Sequence, residues 1–143
     1  VCSSDLLDGV EHILHAGDIG TGRIIEQLSE IAPVTAVRGN NDREGQESRF
    51  PGVETLELGG CRIYLTHNVK VPREGDDAGL STYLDAGSDV VVFGHSHIAF
   101  LEKRGPLTFF NPGAAGKLRF KVVPSIGLLD IGPGRVEGRI LVL

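Results

Sequence analysis

The sequence contains no methionine and no tryptophan, and only two cysteines, Cys2 and Cys61, among 143 residues. Because no methionine stands at position 1 or elsewhere, we expect a processed or truncated chain rather than a complete translation product from an ordinary start. Two cysteines that form no C-x-x-C pair are too few for a disulfide framework, and they argue against structural zinc. This usage fits a reducing compartment, so we expect a cytoplasmic location.

Long apolar runs and clusters of basic residues are also absent. No run approaches the roughly 18 to 20 apolar residues that span a bilayer, and the start VCSSDLLDG has neither a basic segment nor a long apolar one. Fourteen Lys and Arg stand against nineteen Asp and Glu, which gives a net charge of -5. The basic residues are scattered, so the chain offers no footprint for a polyphosphate backbone. We therefore expect neither a membrane nor a long nucleic acid as a partner.

The remaining composition is that of an ordinary globular protein. Apolar residues make up 41% and charged residues 23% of the chain, far from the signature of disorder. A chain of this length forms one core as a rule. We expect one domain over residues 1–143.

The first part of the sequence has a strand, helix, strand pattern. The segment 11–15 (EHILH) reads as a strand, Thr21 as a helix N-cap, and the residues 34–37 as a second strand after Pro33. Ile24, Leu28 and Ile31 recur at helical spacing between the two strands.

Further on, the hydrophobic pattern alternates with a period of two. It predicts a hairpin turning at Gly59-Gly60, followed by a helix over 78–86 closed by Gly87. Four apolar residues at 90–93 indicate a strand buried on both faces. Shorter strands are predicted at 98–101, 107–110, 126–131 and 139–143. Together the elements indicate a layered α/β domain with mixed rather than purely parallel sheets.

Metal-competent side chains follow four of these predicted strands, at the ends where open α/β sheets place ligand sites. Taken singly, each is more often a turn residue or a hydrogen-bonded histidine. Four separate strand ends that all carry such side chains would be an unlikely accident if each residue only formed a turn. A carboxylate, an amide and imidazoles suit Mn, Fe, Zn or Ni. The predicted metal ligands are Asp18, Asn40, His67, His95 and His97.

The motifs around these residues resemble those of the calcineurin-like metallophosphoesterases over nearly the whole chain. They read HAGD at 15–18, VRGNND at 37–42, TH at 66–67, FGHSH at 93–97 and NPGAAGK at 111–117. Within that superfamily they are most similar to the small bacterial and archaeal phosphodiesterases of the YfcE type. The small subunit of retromer is similar too.

The resemblance implies a four-layer α-β-β-α sandwich of two mixed sheets, the metallo-dependent phosphatase fold, with two divalent ions in a cleft. Manganese is the first expectation, and iron, zinc or nickel are alternatives. Asp18 would bridge the two ions, while Asn40, His67 and His95 would complete one of them. His97 would belong to the other. Asn111 would be a structural turn near the cleft, without a chemical role.

Two departures from the family pattern concern the chemistry. The family opens with an Asp-x-His motif on its first strand, and no such motif is present here, so we expect that strand and its metal ligands to be missing. Asn41 stands where many relatives have a histidine that could protonate the leaving group. We name Asn41 and Asp42 as candidate catalytic positions, with Asp42 expected to orient its neighbours by hydrogen bonding. Arg38 is a candidate for contacting the substrate phosphate, although a salt bridge is the alternative.

Three functions follow as hypotheses. The first is a phosphoesterase that hydrolyses small phosphodiesters, or monoesters, with water activated by two metals; this chain itself would be impaired. The second is a non-catalytic protein-interaction module on the same fold, as the retromer small subunit illustrates. The third takes 17–22 (GDIGTG) as a dinucleotide-binding turn, but its glycine spacing is G-x-x-G-x-G, and Asp18 would repel the pyrophosphate.

Overall fold

The computed structural model describes residues 3–42, 45–116 and 121–143 of the chain. In this part, two α-helices, nine strands and two short 3-10 helices follow one another. No described helix is long and apolar enough to cross a membrane. The strands are β1 Ile13–His15, β2 Val34–Ala36, β3 Val53–Leu58, β4 Cys61–Thr66, β5 Val90–Val92, β6 Phe100–Arg104, β7 Leu107–Asn111, β8 Ser125–Gly132 and β9 Arg135–Val142; the helices are α1 Gly22–Ser29 and α2 Asp77–Asp85, and the 3-10 helices are Ser3–Leu7 and Gln46–Arg49.

The predicted strand, helix, strand unit is confirmed at the start of the chain. β1 and β2 pair in parallel, with Ile13 opposite Val34 and His15 opposite Ala36. α1 connects them and contacts β2. Thr21 precedes α1, but its side chain caps no backbone group. Instead, the Gly22 N–H donates to Oε1 of Glu47, 2.6 Å away, so a distant carboxylate supplies the cap.

The central layer is a five-stranded mixed sheet in the order β3-β4-β5-β7-β6. β3 and β4 form the predicted hairpin, in which Leu58 and Cys61 flank the Gly59-Gly60 turn. β4, β5 and β7 run parallel to one another, so their carboxyl ends lie at the same edge of the sheet. β5 is the apolar strand expected from the sequence, and its three valines are all buried.

Both faces of this sheet are covered. Asp76 is the N-cap of α2, and its side chain accepts the Gly79 N–H. The helix packs Leu80 and Tyr83 against one face of the sheet, around Phe109. On the other face, β1, β8 and β9 contribute to a cluster around Val90, Val92 and Phe110. A mixed central sheet with a helix on one face and further strands on the other is the layered α/β arrangement that the sequence predicted. Among the described strands, however, the second β-layer consists of two separate pairs, β1-β2 and β8-β9.

Two strand predictions were wrong in position. The strand predicted at 98–101 begins instead at Phe100 and continues to Arg104, because the Ile98 N–H donates to Ser96 Oγ rather than to a strand and Ile98 is 63% exposed. The last strand begins at Arg135 rather than at Arg139. The charged residues on the exposed face of this strand alternate with its apolar residues, so the apolar pattern alone does not mark where the strand begins. Cys61, predicted to lie in the core, is 2% exposed there.

Candidate metal centre

The candidate site lies where the carboxyl ends of four strands meet. Asp18 follows β1, Asn40 follows β2, His67 follows β4, and the loop carrying His95 follows β5. Two hydrogen bonds connect these strand ends, the first between the β1-β2 pair and the central sheet and the second between β4 and β5 within the central sheet. His67 Nδ1 donates to the carbonyl oxygen of Ala16, 2.6 Å away, and the Gly94 N–H donates to the His67 carbonyl oxygen at 2.9 Å.

Four of the five predicted ligands come together. Oδ1 of Asn40 lies 2.9 Å from Nε2 of His67 and 3.1 Å from Nδ1 of His95, and the two ring nitrogens are 3.3 Å apart. The Asp18 carboxylate is 3.5 Å from Nε2 of His67. His67 is 7% exposed, whereas Asn40 and His95 are open to solvent. The cluster thus has a buried floor and an open mouth.

The hydrogens available to this cluster are too few for its acceptors. Because His67 Nδ1 must carry a hydrogen to donate to Ala16, Nε2 of a neutral His67 presents a lone pair. Oδ1 of Asn40 and the Asp18 carboxylate are also acceptors. With neutral imidazoles, His95 Nδ1 is the one side-chain atom of the Asn40, His67 and His95 contacts that can bring a hydrogen to them. Converging lone pairs of this kind suit a cation.

The spacing of the donor atoms agrees with that reading. Ligands bound at about 2.1 Å to one ion are separated by about 3.0 Å in octahedral and about 3.4 Å in tetrahedral geometry. The three separations within the Asn40, His67 and His95 group lie between 2.9 and 3.3 Å. In the described part of the chain, no group of three or more His, Cys, Asp or Glu residues could hold a metal by itself. A metal here would need the Asn40 amide oxygen as a ligand.

His97 is half-buried in the same loop as His95, but none of the hydrogen bonds found among the described residues joins it to the other four. Both histidines have left-handed backbone conformations, with φ of 66° and 60°. Asp18 shares that conformation at 53°. Non-glycine residues adopt it rarely, and such strain gathers at functional sites.

Asp42 fixes the two loops that present Asp18 and Asn40. It is 2% exposed, and its carboxylate accepts the N–H groups of Ile19, Gly20 and Gly39 at 3.0, 3.3 and 2.8 Å. Burial by itself raises the pKa of this carboxyl, but backbone hydrogen bonds from Gly39, Ile19 and the neighbouring residues outweigh that effect and lower the pKa. These hydrogen bonds connect Asp42 to both loops, and its predicted role in orienting its neighbours for catalysis stays a prediction.

The two loops approach so closely that glycine is needed at the contact. A Cβ atom on Gly17, whose φ is 95°, would lie 2.6 Å from His67 Nδ1 and 2.8 Å from the Gly39 nitrogen. A Cβ atom on Gly39 would meet the backbone and carboxylate of Asp18. The glycines before Asp18 and Asn40 thus allow the two ligands to reach the same place.

The remaining candidates lie at different distances from the cluster. Asn41 is exposed, and its N–H donates to Oδ1 of Asp18 at 3.0 Å. Arg38 is exposed and turns away, because its Nη1 donates to the carbonyl oxygen of Phe50. The roles of Asn41 in catalysis and of Arg38 in substrate binding stay predictions.

His15 lies behind the site. Its Nδ1 accepts the Gly17 N–H at 3.3 Å, and burial lowers its pKa although Asp42 and Asp18 act in the opposite direction. A neutral imidazole there adds no positive charge behind the ligands.

Sequence reasoning gave Asn111 no chemical role, yet it contacts the histidine loop directly. It is fully buried at the end of β7, and its Nδ2 donates to the Gly94 carbonyl oxygen and to Ser96 Oγ. Its place at the carboxyl end of a strand was the available signal. Lys117, the last residue of the NPGAAGK segment, lies outside the described residues.

Comparison with known proteins agrees with this fold. The family model of the calcineurin-like phosphoesterase superfamily domain matches residues 3–134. The chain therefore belongs to that superfamily. A probable metallophosphoesterase of Methanothermobacter thermautotrophicus is 34% identical over 139 residues, which cover 96% of this chain and 78% of that protein. Phosphodiesterase YfcE of Escherichia coli K12 is 34% identical over 114 residues, or 76% of this chain.

The match to YfcE spans only 59% of its length, and a match to a probable metallophosphoesterase of Methanocaldococcus jannaschii spans 56%. Among solved structures, Vps29 of Entamoeba histolytica complexed with zinc is similar, with a TM-score of 0.74, 26% identity, and coverage of 98% of this chain and 87% of that one. An archaeal phosphodiesterase shares the fold with a TM-score of 0.75 at 24% identity, covering 99% of this chain and 88% of its own.

Proposed function

We propose that this chain carries the metal-binding part of a phosphodiesterase that hydrolyses small phosphoesters. The single observation that supports the proposal most is the meeting of Asn40, His67 and His95 within 2.9 to 3.3 Å, next to the Asp18 carboxylate. The similarity to YfcE points to phosphodiesters as substrates. Monoesters are the alternative class.

Each residue has a defined task in this proposal. His67, held by Ala16, and His95 offer neutral nitrogens, Asn40 offers an amide oxygen, and Asp18 supplies the negative charge. A bound divalent ion supplies Lewis acidity and lowers the pKa of a water molecule. Because only Asp18 among these ligands is charged, the site with its ion stays positive and favours an anionic phosphoester.

The exposed mouth of the site sets the geometry of substrate entry. Asn40, Asn41 and His95 line it, so the phosphoryl group of a small ester reaches the ligands from solvent. The amide of Asn41 cannot act as a general acid at neutral pH, so this residue would contribute hydrogen bonds rather than protons. Leaving groups that need no protonation are therefore the favoured ones.

We further propose that manganese is the natural metal and that the chain is cytoplasmic. The second metal site would bind its ion weakly, because Asp18 and His97 are its two candidate ligands in this chain. An Asp-x-His segment, typical of the family, would complete it. For that reason we expect hydrolysis by this chain to be slow.

The test is hydrolysis of bis-p-nitrophenyl phosphate by the purified chain, after removal of metal and with Mn²⁺ or Zn²⁺ restored. Activity should depend on the metal and fall at least tenfold in His95→Ala. His12→Ala is the matched control, because His12 hydrogen-bonds Thr35 away from the cluster and should leave the rate unchanged. A rate equal in all three proteins would overturn the proposal.

A non-catalytic interaction module is the second candidate, and the similarity to Vps29 fits it. Metal binding alone does not separate the two functions, because that Vps29 structure contains zinc. A chain extended at its N-terminus by a strand that carries Asp-x-His separates the two functions. If the extended chain binds a second metal but gains no hydrolysis, the module is favoured; a gain in rate supports the phosphodiesterase.

A further inference from the structure

The loop after β5 holds two proposed ligands in an unusual backbone conformation. His95 and His97 have φ of 66° and 60°, and neither is a glycine. Left-handed geometry disfavours residues with a Cβ atom, so the surrounding structure must stabilise the loop. Ser96, which lies between the two histidines, is exposed.

Asn111 supplies contacts on both sides of His95. Its Nδ2 donates to the carbonyl oxygen of Gly94 at 2.9 Å and to Oγ of Ser96 at 3.1 Å. Its Oδ1 accepts the N–H of Gly113 at 2.9 Å, which fixes the orientation of the amide. The side chain is 0% exposed, so water does not compete for these bonds.

The contacts continue to the second histidine. Oγ of Ser96 accepts the N–H of Ile98, 3.3 Å away, which lies beyond His97. The same oxygen accepts a hydrogen bond from the Asn111 amide. One amide at the end of β7 is thereby connected to the backbone before His95 and after His97.

We propose that Asn111 is a positioning residue that holds His95 and His97 in the left-handed conformation and so aims His95 at Asn40 and His67. This proposal rests on the proposed function for its consequence, which is metal affinity. An amide is the side chain that fits, because the position needs two N–H donors and one acceptor. A carboxylate would lack the donors, and an aliphatic residue would leave the Gly94 carbonyl oxygen unpaired.

The experiment compares Asn111→Ala with Ser125→Ala in the full chain. Ser125 is 4% exposed, and its Oγ donates to the Pro112 carbonyl oxygen in the same turn, without contact to the histidine loop. Both variants lose buried hydrogen bonds near one place, three for Asn111 and one for Ser125, so Ser125→Ala controls for the loss of a buried bond that does not reach the histidine loop. Ser96→Ala is a second test variant that alters only an exposed side chain.

Two readouts are needed for each protein. Backbone chemical shifts and HN–Hα couplings of His95 and His97, measured without metal, report φ. Titration with Zn²⁺ reports affinity, and loss of a residue that orients metal ligands costs about 10- to 100-fold in affinity. We expect Asn111→Ala to lose the left-handed signature and to bind Zn²⁺ at least tenfold more weakly, and Ser125→Ala to change neither.

A retained left-handed signature in Asn111→Ala, or equal losses in Ser125→Ala, would overturn the proposal. If Asn111→Ala does not fold, an unchanged loop conformation in Ser96→Ala would overturn it as well. If the wild-type chain binds no Zn²⁺, the proposed function fails, but the metal-free backbone measurement still decides the role of Asn111.

Discussion

Asp42 and Asn111 are the two buried polar residues that support the site, and they do so with opposite hydrogen-bonding properties. Asp42 meets only N–H groups, from Ile19, Gly20 and Gly39, and a carboxylate accepts all of them. Asn111 meets a carbonyl oxygen, a hydroxyl and an N–H group, and only an amide matches that set. In each case the backbone groups that must be satisfied determine the side chain.

The two residues also support different ligands. Asp42 joins the loops after β1 and β2, which present Asp18 and Asn40, whereas Asn111 joins β7 to the loop after β5, which presents His95 and His97. The site lies between two independently anchored halves. Damage to either anchor should therefore loosen its own ligands first.

The largest effect is expected from Asp42→Ala. It leaves three N–H groups in or near the interior without their acceptor, at a cost of about 3 to 5 kcal/mol in the free energy of unfolding, measured by urea denaturation. Asp130→Ala is the control, because Asp130 forms only an exposed ion pair with Arg135 and should change stability by less than about 0.5 kcal/mol. Equal stabilities of the two variants would refute the anchoring role of Asp42.

A smaller effect is expected from Gly39→Ala, which tests the close approach within the Asp42 half. The added Cβ meets the Asp18 backbone, so the loops must separate at a cost of about 1 to 3 kcal/mol. Gly116→Ala adds the same atom where none of the described residues lies within 4 Å of it, and it should be nearly neutral. Thermal unfolding of both variants measures the difference, and a neutral Gly39→Ala would contradict the described contact.

The smallest effect concerns His15, behind the same half. Its folded pKa is lowered by burial, so the unfolded chain takes up a proton first as the pH falls below 6.5, and stability decreases through that window. His15→Asn keeps an acceptor for the Gly17 N–H but cannot titrate. Between pH 7 and pH 5, in the presence of a chelator, the free energy of unfolding of this variant should fall less than that of the wild type. An equal decrease in the two proteins would contradict the lowered pKa of His15.

Much of the fold could be predicted from local patterns. The β1, α1, β2 unit, the hairpin at Gly59-Gly60 and the buried strand at Val90 all follow from periodicity and turn residues. The extension of β6 to Arg104 and the start of β9 at Arg135 could not be predicted. Glu102, Lys103 and Arg104 occupy an edge strand whose exposed face tolerates charge, and Gly138 interrupts the alternation of β9 where it packs against Leu101.

The site was partly predictable for a similar reason. Polar residues at strand ends identified the cluster of Asp18, Asn40, His67 and His95, because parallel strands end at one edge of a sheet. The roles of Ala16 and Glu47 were not predictable. They depend on a carbonyl oxygen and a carboxylate that tertiary packing brings to His67 and to the start of α1 from distant parts of the chain.

The most direct test of the central claim is calorimetric titration of the metal-free chain with Zn²⁺. We predict one zinc ion per chain, with affinity reduced at least tenfold in His95→Ala and unchanged in His12→Ala. His95 is exposed, so its removal should leave the fold intact. Absence of zinc binding by the wild type, or equal binding by His95→Ala, would contradict the claim that these strand ends form a metal centre.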